Sequence, residues 1–201
     1  MQCSQTAQGT CCTTPGVCGK KPTVAKLPIT REDVMKKMTE SNLNAAFSGE
    51  SAAHMRYLVF AQQAEDEGKP NIARLFRAIA FAEQVHATNH LKTLGQVGNT
   101  AENLDAAIAG ETYEVEEMYP AFDAVAKIQA EKMAERVINY AISAEKVHAG
   151  FYTKAKQAVE SGKDLDVGKI AICQICGWTV EGDAPDNCPV CNAKKEKFTL
   201  F

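Results

Sequence analysis

Apolar residues recur at helical spacing through most of this chain, and the points where that spacing breaks divide it. Val34, Met38, Phe47, Leu58 and Val59 fit one wide stripe. The pattern predicts a long helix opening at a Thr30 N-cap, with Asp33 three positions on, and ending at Gly68. Lys69-Pro70-Asn71 turns into a second helix carrying Ile72, Leu75, Phe76 and Ile79 and stopping near Gly95. Gly95 to Gly110 reads as a longer connection with some helix around Leu104–Ile108, the crossover that a bundle of two hairpins needs. A third helix is expected over 111–128, kinked because Pro120 frees the carbonyl of Glu116. A fourth is expected from about residue 131 to Ser161, with Gly162 after it. Residues 1–29 lack any period and read as a tail. The helices occupy 30–161, a polar linker 162–169, and a second small domain 170–201.

Charged residues interrupt the apolar stripes in a repeated way. The phrase Ala-Glu-x-Val-His-Ala occurs at 82–87 and again 62 residues later at 144–149. The residues before each copy share apolar spacing, so the helix pair looks duplicated. Each copy sets a Glu and a His three apart on one helical face: Glu83 with His86, and Glu145 with His148. Glu50 precedes the first copy by about 30 residues, and Glu111 and Glu114 precede the second. Most helical glutamates are solvated surface charges, but these sit among Ala, Ser and Gly, where helices approach closely. Burying a carboxylate there is costly unless it is paired or metal-bound. Two neighbouring iron ions repel, and several carboxylates are needed to neutralise and bridge them, with imidazoles completing the spheres. Glu50, Glu83, His86, Glu111, Glu114, Glu145 and His148 give seven candidate ligands, more than must bind at once, so the set can exchange members as its charge changes. Tyr57 and Tyr119 are candidates to hydrogen-bond a ligating carboxylate. His54 and His90 read as neighbours of the site or surface residues.

The eight cysteines are segregated to the two ends. Cys173-x-x-Cys176-Gly177 and Cys188-Pro189-x-Cys191 are two hooks that make a tetrahedral thiolate site for one iron or zinc, with Gly177 free to take the positive φ such a hook needs. A zinc ribbon would use the same residues; beside a redox-capable pair of metals, an electron-transfer iron is the stronger reading. Cys3, Cys11, Cys12 and Cys18 lie in the tail.

A formal charge of −3 gives no basic footprint for nucleic acid, and no apolar run approaches the length of a membrane span. With no secretory pattern at the start and cysteines placed for metal, a cytoplasmic address is expected. No glycine motif for a dinucleotide appears, so electrons must come from an external donor.

In order along the chain, Gly49-Glu50-Ser51, Ala82-Glu83-x-x-His86, Gly110-Glu111-x-x-Glu114, Glu117-Met118-Tyr119-Pro120, Ala144-Glu145-x-x-His148 and the two cysteine hooks closely resemble the rubrerythrin family over residues 30–201. The resemblance implies a mainly α protein: a ferritin-like four-helix bundle with a small C-terminal rubredoxin-like four-cysteine domain. It implies two non-haem irons in the bundle, one iron on the cysteines, and reduction of hydrogen peroxide to water. A ferroxidase or oxygen-reducing iron-handling role is the alternative. Glu83 and Glu145 would bridge the irons, with Glu50 terminal on one and Glu111 with His148 on the other. Glu114 and His86 would alternate on the first. The family also implies a homodimer in which the rubredoxin-like iron of one subunit lies near its partner's di-iron site, fed by a rubredoxin or a reductase. The tail, Cys3-x7-Cys11-Cys12-x5-Cys18-Gly19-Lys20, resembles the later part of the hybrid-cluster protein motif, without the first cysteine of its opening pair. Its thiolates suffice in number for an iron–sulfur cluster, with a tail of reactive thiols as the other reading.

Overall fold

The computed structural model describes residues 35–201. The expectations for Thr30, Val34 and the four tail cysteines lie outside those residues. Helix α1 spans Lys37–Asp66, α2 Pro70–Thr93, α3 Thr100–Tyr113, α4 Tyr119–Ile128 and α5 Lys132–Glu160. A π-helical turn, Glu114–Met118, joins α3 to α4.

Two boundaries depart from the expectation. Met35 and Lys36 are not helical, and Lys36 is extended at φ −66°, ψ 137°, so α1 starts at Lys37 rather than just after Thr30. The connection after α2 is short. Asn99 and Glu102 form a reciprocal capping box that starts a helix at Thr100, so most of the expected crossover is α3 itself. The ends of α1 and α2 fall where glycine predicted them; Gly68, at φ +70°, lets Lys69 N–H return to the Ala64 carbonyl at 2.8 Å.

Small residues form the seam of the first hairpin. Ala53, Ala61 and Ala64 of α1 are buried, as are Ala73, Ala80 and Ala87 of α2, the latter three seven residues apart. Alanine knobs let the two backbones approach closely, but they bury little apolar area each. The large side chains of the stripes are left outside: Ile72 is 47 % exposed and Ile79 42 %. The second hairpin packs α3, the π turn and α4 along α5. Asp123 accepts a hydrogen bond from Asn139 at 3.1 Å there, and Ala126 is buried beside it. Packing runs within each hairpin, and no packed face joins α1–α2 to α3–α5.

Residues 170–200 hold three short antiparallel strands, β1 Ile170–Cys173, β2 Thr179–Glu181 and β3 Phe198–Leu200, in the order β2-β1-β3. Trp178 and Phe198 meet edge to face at 6.5 Å over the cysteines. Among the described residues no helix is long and apolar enough to cross a membrane.

Candidate metal centres

In the C-terminal domain Cys173, Cys176, Cys188 and Cys191 converge, with one Sγ from each within 4.8 Å of the others. Cys173 to Cys191 and Cys176 to Cys188 are both 3.5 Å between sulfurs. The two hooks are alike in backbone. Gly177 follows Cys176 at φ +77°, and Asn192 follows Cys191 at φ +61°. The Gly177 N–H donates to the Cys173 carbonyl and the Asn192 N–H to the Cys188 carbonyl, each at 2.9 Å. Burial pushes Cys173 up, but N–H groups of Ile175 and Cys176 aimed at its sulfur bring it below the ordinary thiol range. Burial raises Cys176 and Cys191. Four clustered sulfurs, met by backbone donors that stabilise thiolate, are a donor set that fits iron or zinc.

The carboxylates and histidines assemble into two separate triads, not one set. Glu50 of α1 joins Glu83 and His86 of α2, with one ligand atom each within 4.8 Å. His86 Nδ1 lies 2.9 Å from Glu83 Oε2 and 3.9 Å from Glu50 Oε1. Glu111 of α3 joins Glu145 and His148 of α5 in the same way. His148 Nδ1 lies 2.6 Å from Glu145 Oε2. Each triad has two carboxylates and one imidazole, the donors that suit an iron ion.

The second triad is electrostatically stressed. Burial, then a hydrogen bond and charge repulsion from Glu145 and the charge of Glu114, push Glu111 up to about 7. Glu114 is raised by burial and by Glu145, although its carboxylate stands outside the converging three. Tyr119 is raised by burial, Glu114, Glu145 and Glu111, which puts its phenol beside these carboxylates. The π turn sets this arrangement: the Tyr119 N–H reaches back five residues to the Glu114 carbonyl, where Pro120 has no N–H for a regular turn.

Other candidates stand apart. Tyr57 packs between Phe60 and Phe76, with ring centroids at 6.2 and 6.1 Å, and hydrogen-bonds no ligand among the described residues. His54 Nδ1 is 2.8 Å from the Ala80 carbonyl across the hairpin seam, a structural bond. His90 lies in the last turn of α2, in neither triad.

The rubrerythrin family model matches residues 41–156, more than half of the chain. The chain belongs to the rubrerythrin family. The model for the rubrerythrin rubredoxin-like domain matches residues 172–199. Rubrerythrin-2 of Clostridium acetobutylicum is 42 % identical over 84 % of this chain and 99 % of its own length. Nigerythrin of Nitratidesulfovibrio vulgaris is 34 % identical over 81 % of this chain and 86 % of its own. A solved structure of nigerythrin in a mixed-valence state aligns with 92 % of this chain and 100 % of that one, at 32 % identity and a TM-score of 0.47. Rubrerythrins are di-iron oxidoreductases of oxidative-stress defence, and the ferritin-like helices and rubredoxin-like domain of this chain have that character.

One contact beyond the motifs joins the two kinds of candidate centre. Thr179 Oγ1 donates to the Gly177 carbonyl at 3.0 Å, and the same oxygen is 2.8 Å from His148 Nε2. With its hydrogen committed to Gly177, the hydroxyl accepts from Nε2–H, which leaves Nδ1, facing Glu145, as the candidate ligand atom. Tyr140 of α5 packs on the cysteine cluster, and a Cβ at Gly177 would lie 3.8 Å from that of Ala144. The cysteine domain therefore docks on α5 of its own chain, beside its own His148. Thr179 is three residues past Cys176 and carries no sequence signature; only the docking reveals it.

Proposed function

We propose that this rubrerythrin is a cytoplasmic non-haem di-iron peroxidase, carrying out H2O2 + 2 H+ + 2 e− → 2 H2O with electrons delivered through iron in its four-cysteine domain. The observation that carries this reading is the Thr179–His148 hydrogen bond, which ties the cysteine hook to a carboxylate–histidine triad. A ferroxidase or storage protein needs no inbound electron route, so the docked domain favours peroxide reduction over that alternative. Two irons held by the triads would supply the two electrons that cleave the O–O bond.

The chain's residues do the rest. Glu50, Glu83 and His86 would hold one metal ion, and Glu111, Glu145 and His148 the other; the roles of Glu83 and Glu145 as shared carboxylates are those the family resemblance implies. Glu114, close to Glu145 but outside its triad, would be the exchangeable ligand that the resemblance pairs with His86. Glu111, pushed up to about 7, carries a proton near neutrality when no cation displaces it. Tyr119 keeps its phenolic proton well above neutral pH and stands among the carboxylates, so its Oη–H is available as a proton or hydrogen-bond donor to a substrate there. An external rubredoxin or reductase refills the cysteine centre.

The test uses protein purified without oxygen, reduced, and given one equivalent of hydrogen peroxide. Thiolate-to-iron absorption is expected to return rapidly with peroxide and slowly in air. Faster return with oxygen would favour the oxygen-reducing reading, and a colourless cysteine centre would break the electron route.

A further inference from the structure

We infer that the electron donor docks on the second cysteine hook, around the Cys191 edge, and that it is a small carrier protein with an acidic face. This rests on the electron route proposed above and names the surface where that route begins and the partner it fits.

The two hooks share a backbone design but not a setting. Gly177, in the first, lies against α5, where an added Cβ would be 3.8 Å from that of Ala144. Thr179, just beyond it, meets His148 at 2.8 Å. The Gly177 end of the first hook therefore faces the carboxylate–histidine triad and is covered by the bundle. Asn192, the counterpart of Gly177 in the second hook, is exposed. Cys173, Cys176 and Cys188 are buried, and Cys191 alone of the four is partly open to solvent. Electron tunnelling falls off steeply with distance, so a donor gains most by approaching the sulfur that reaches the surface.

The charges around that edge select the donor. Lys194, Lys195 and Lys197 follow Cys191 closely and are exposed. Among the described residues none of the three is in a salt bridge. Glu181 and Asp183 of the same domain are met by other lysines, Lys154 of α5 at 3.9 Å and Lys169 at 3.4 Å. Asp186 and Glu196 share the lysine edge, which still leaves it net positive on a chain of net charge −3. An acidic partner is repelled by the chain as a whole and attracted here, which both speeds and orients its encounter. The Gln174 N–H donates to the Lys197 carbonyl at 2.8 Å, setting the tip of the first hook against the lysine segment. Ile175 at that tip is 53 % exposed. A small apolar centre inside a charged rim suits a transient redox contact. Each docking passes one electron from the carrier to the thiolate-bound metal, so the carrier is oxidised by one and the metal reduced by one. No bond or proton moves, and two such events supply one peroxide turnover.

The test uses the full chain, with a rubredoxin as the acidic carrier. With zinc on the cysteines, which has no redox change, oxidised rubredoxin should bind at low salt and release as salt rises, read by calorimetry. Lys194→Glu with Lys195→Glu and Lys197→Glu should weaken that binding at least about tenfold. Lys36→Glu with Lys37→Glu and Lys92→Glu, an equal charge change on the first hairpin, should weaken it far less. Ile175→Ser should weaken it with the salt dependence unchanged. With iron loaded, bleaching of the thiolate band by reduced rubredoxin should slow in step with binding, while photoreduced deazaflavin reduces every variant alike. No binding by the wild type, or an equal loss in both triple variants, overturns the inference. So does bound rubredoxin that leaves the band unbleached where deazaflavin bleaches it. A band that rubredoxin bleaches but peroxide does not restore counts instead against the proposed function, with the docking result standing.

Discussion

The two hairpins carry the same chemistry in different settings. Both present two glutamates and a histidine, with the histidine three residues after one glutamate. In α1–α2 the histidine is loosely held: His86 is 54 % exposed, and its ring contacts are to Glu50 and Glu83. In α3–α5 the corresponding His148 is 28 % exposed and fixed on its far side by Thr179. A ligand tied at both ring nitrogens keeps its place as the metal changes charge, and one tied at a single nitrogen can swing away. The difference matches the proposed division of labour, a fixed metal position beside the cysteine domain and an exchangeable one opposite.

Removing either half is the bluntest way to break the comparison. Glu83→Ala and Glu145→Ala should each slow peroxide-driven reoxidation of the thiolate iron by at least about a hundredfold, more than outer partners usually cost. Stopped-flow absorbance reads this directly, and a large loss from only one would mean that the halves do not form one centre. Thr179→Val probes the setting without touching a ligand. It should weaken metal binding and slow turnover by about tenfold, with Thr179→Ser recovering most of the loss. An equal loss in the serine variant would mean that the threonine matters for packing rather than for its hydroxyl.

Steric changes separate the hairpins further. Ala80→Leu, at the seam of α1 and α2, should cost about 1–3 kcal/mol in denaturant unfolding because close-packed helices must move apart. Ala144→Leu should instead lift the cysteine domain off α5, seen as slower electron transfer to the carboxylate centre with the thiolate absorption intact. The smallest effect is on pH. The Glu111 carboxyl is raised in the folded apoprotein, so the folded state holds that proton more tightly than the unfolded chain. The resulting stability is present below the ordinary glutamate value of 4.5 and is lost as pH rises toward 7. The apoprotein melting temperature should fall across that window, and Glu111→Gln should flatten the fall.

The candidate site was more legible than the packing of the helices. Candidate ligand positions follow from helical spacing and local composition, and both are properties of short stretches. The cysteine hooks are more local still, and Gly177 was readable because a positive φ favours glycine. Asn192, which has the same role in the second hook, is visible only afterwards, since asparagine tolerates that conformation without advertising it. The start of α3 was written as Asn99-x-x-Glu102, but the expectation of a long crossover obscured it. The partition of the candidate ligands into two triads depends on which helices meet, and alternation of apolar and polar residues says that a face is covered without saying by which element. The seam shows the same limit: Phe76 and Ile79 look more like core than Ala73 and Ala80, yet the alanines are the residues that are buried.

The π turn at Glu114–Met118 sets rotational phase. Twelve residues of regular α-helix turn through about 1,200°, which would leave Asp123 about 120° round the rod from Glu111. One surplus residue in the turn absorbs about 100° of that, so Glu111 faces its triad while Asp123 meets Asn139 farther along α5. Deleting a single residue from 114–118 would thus rotate everything downstream and force a choice between the two contacts.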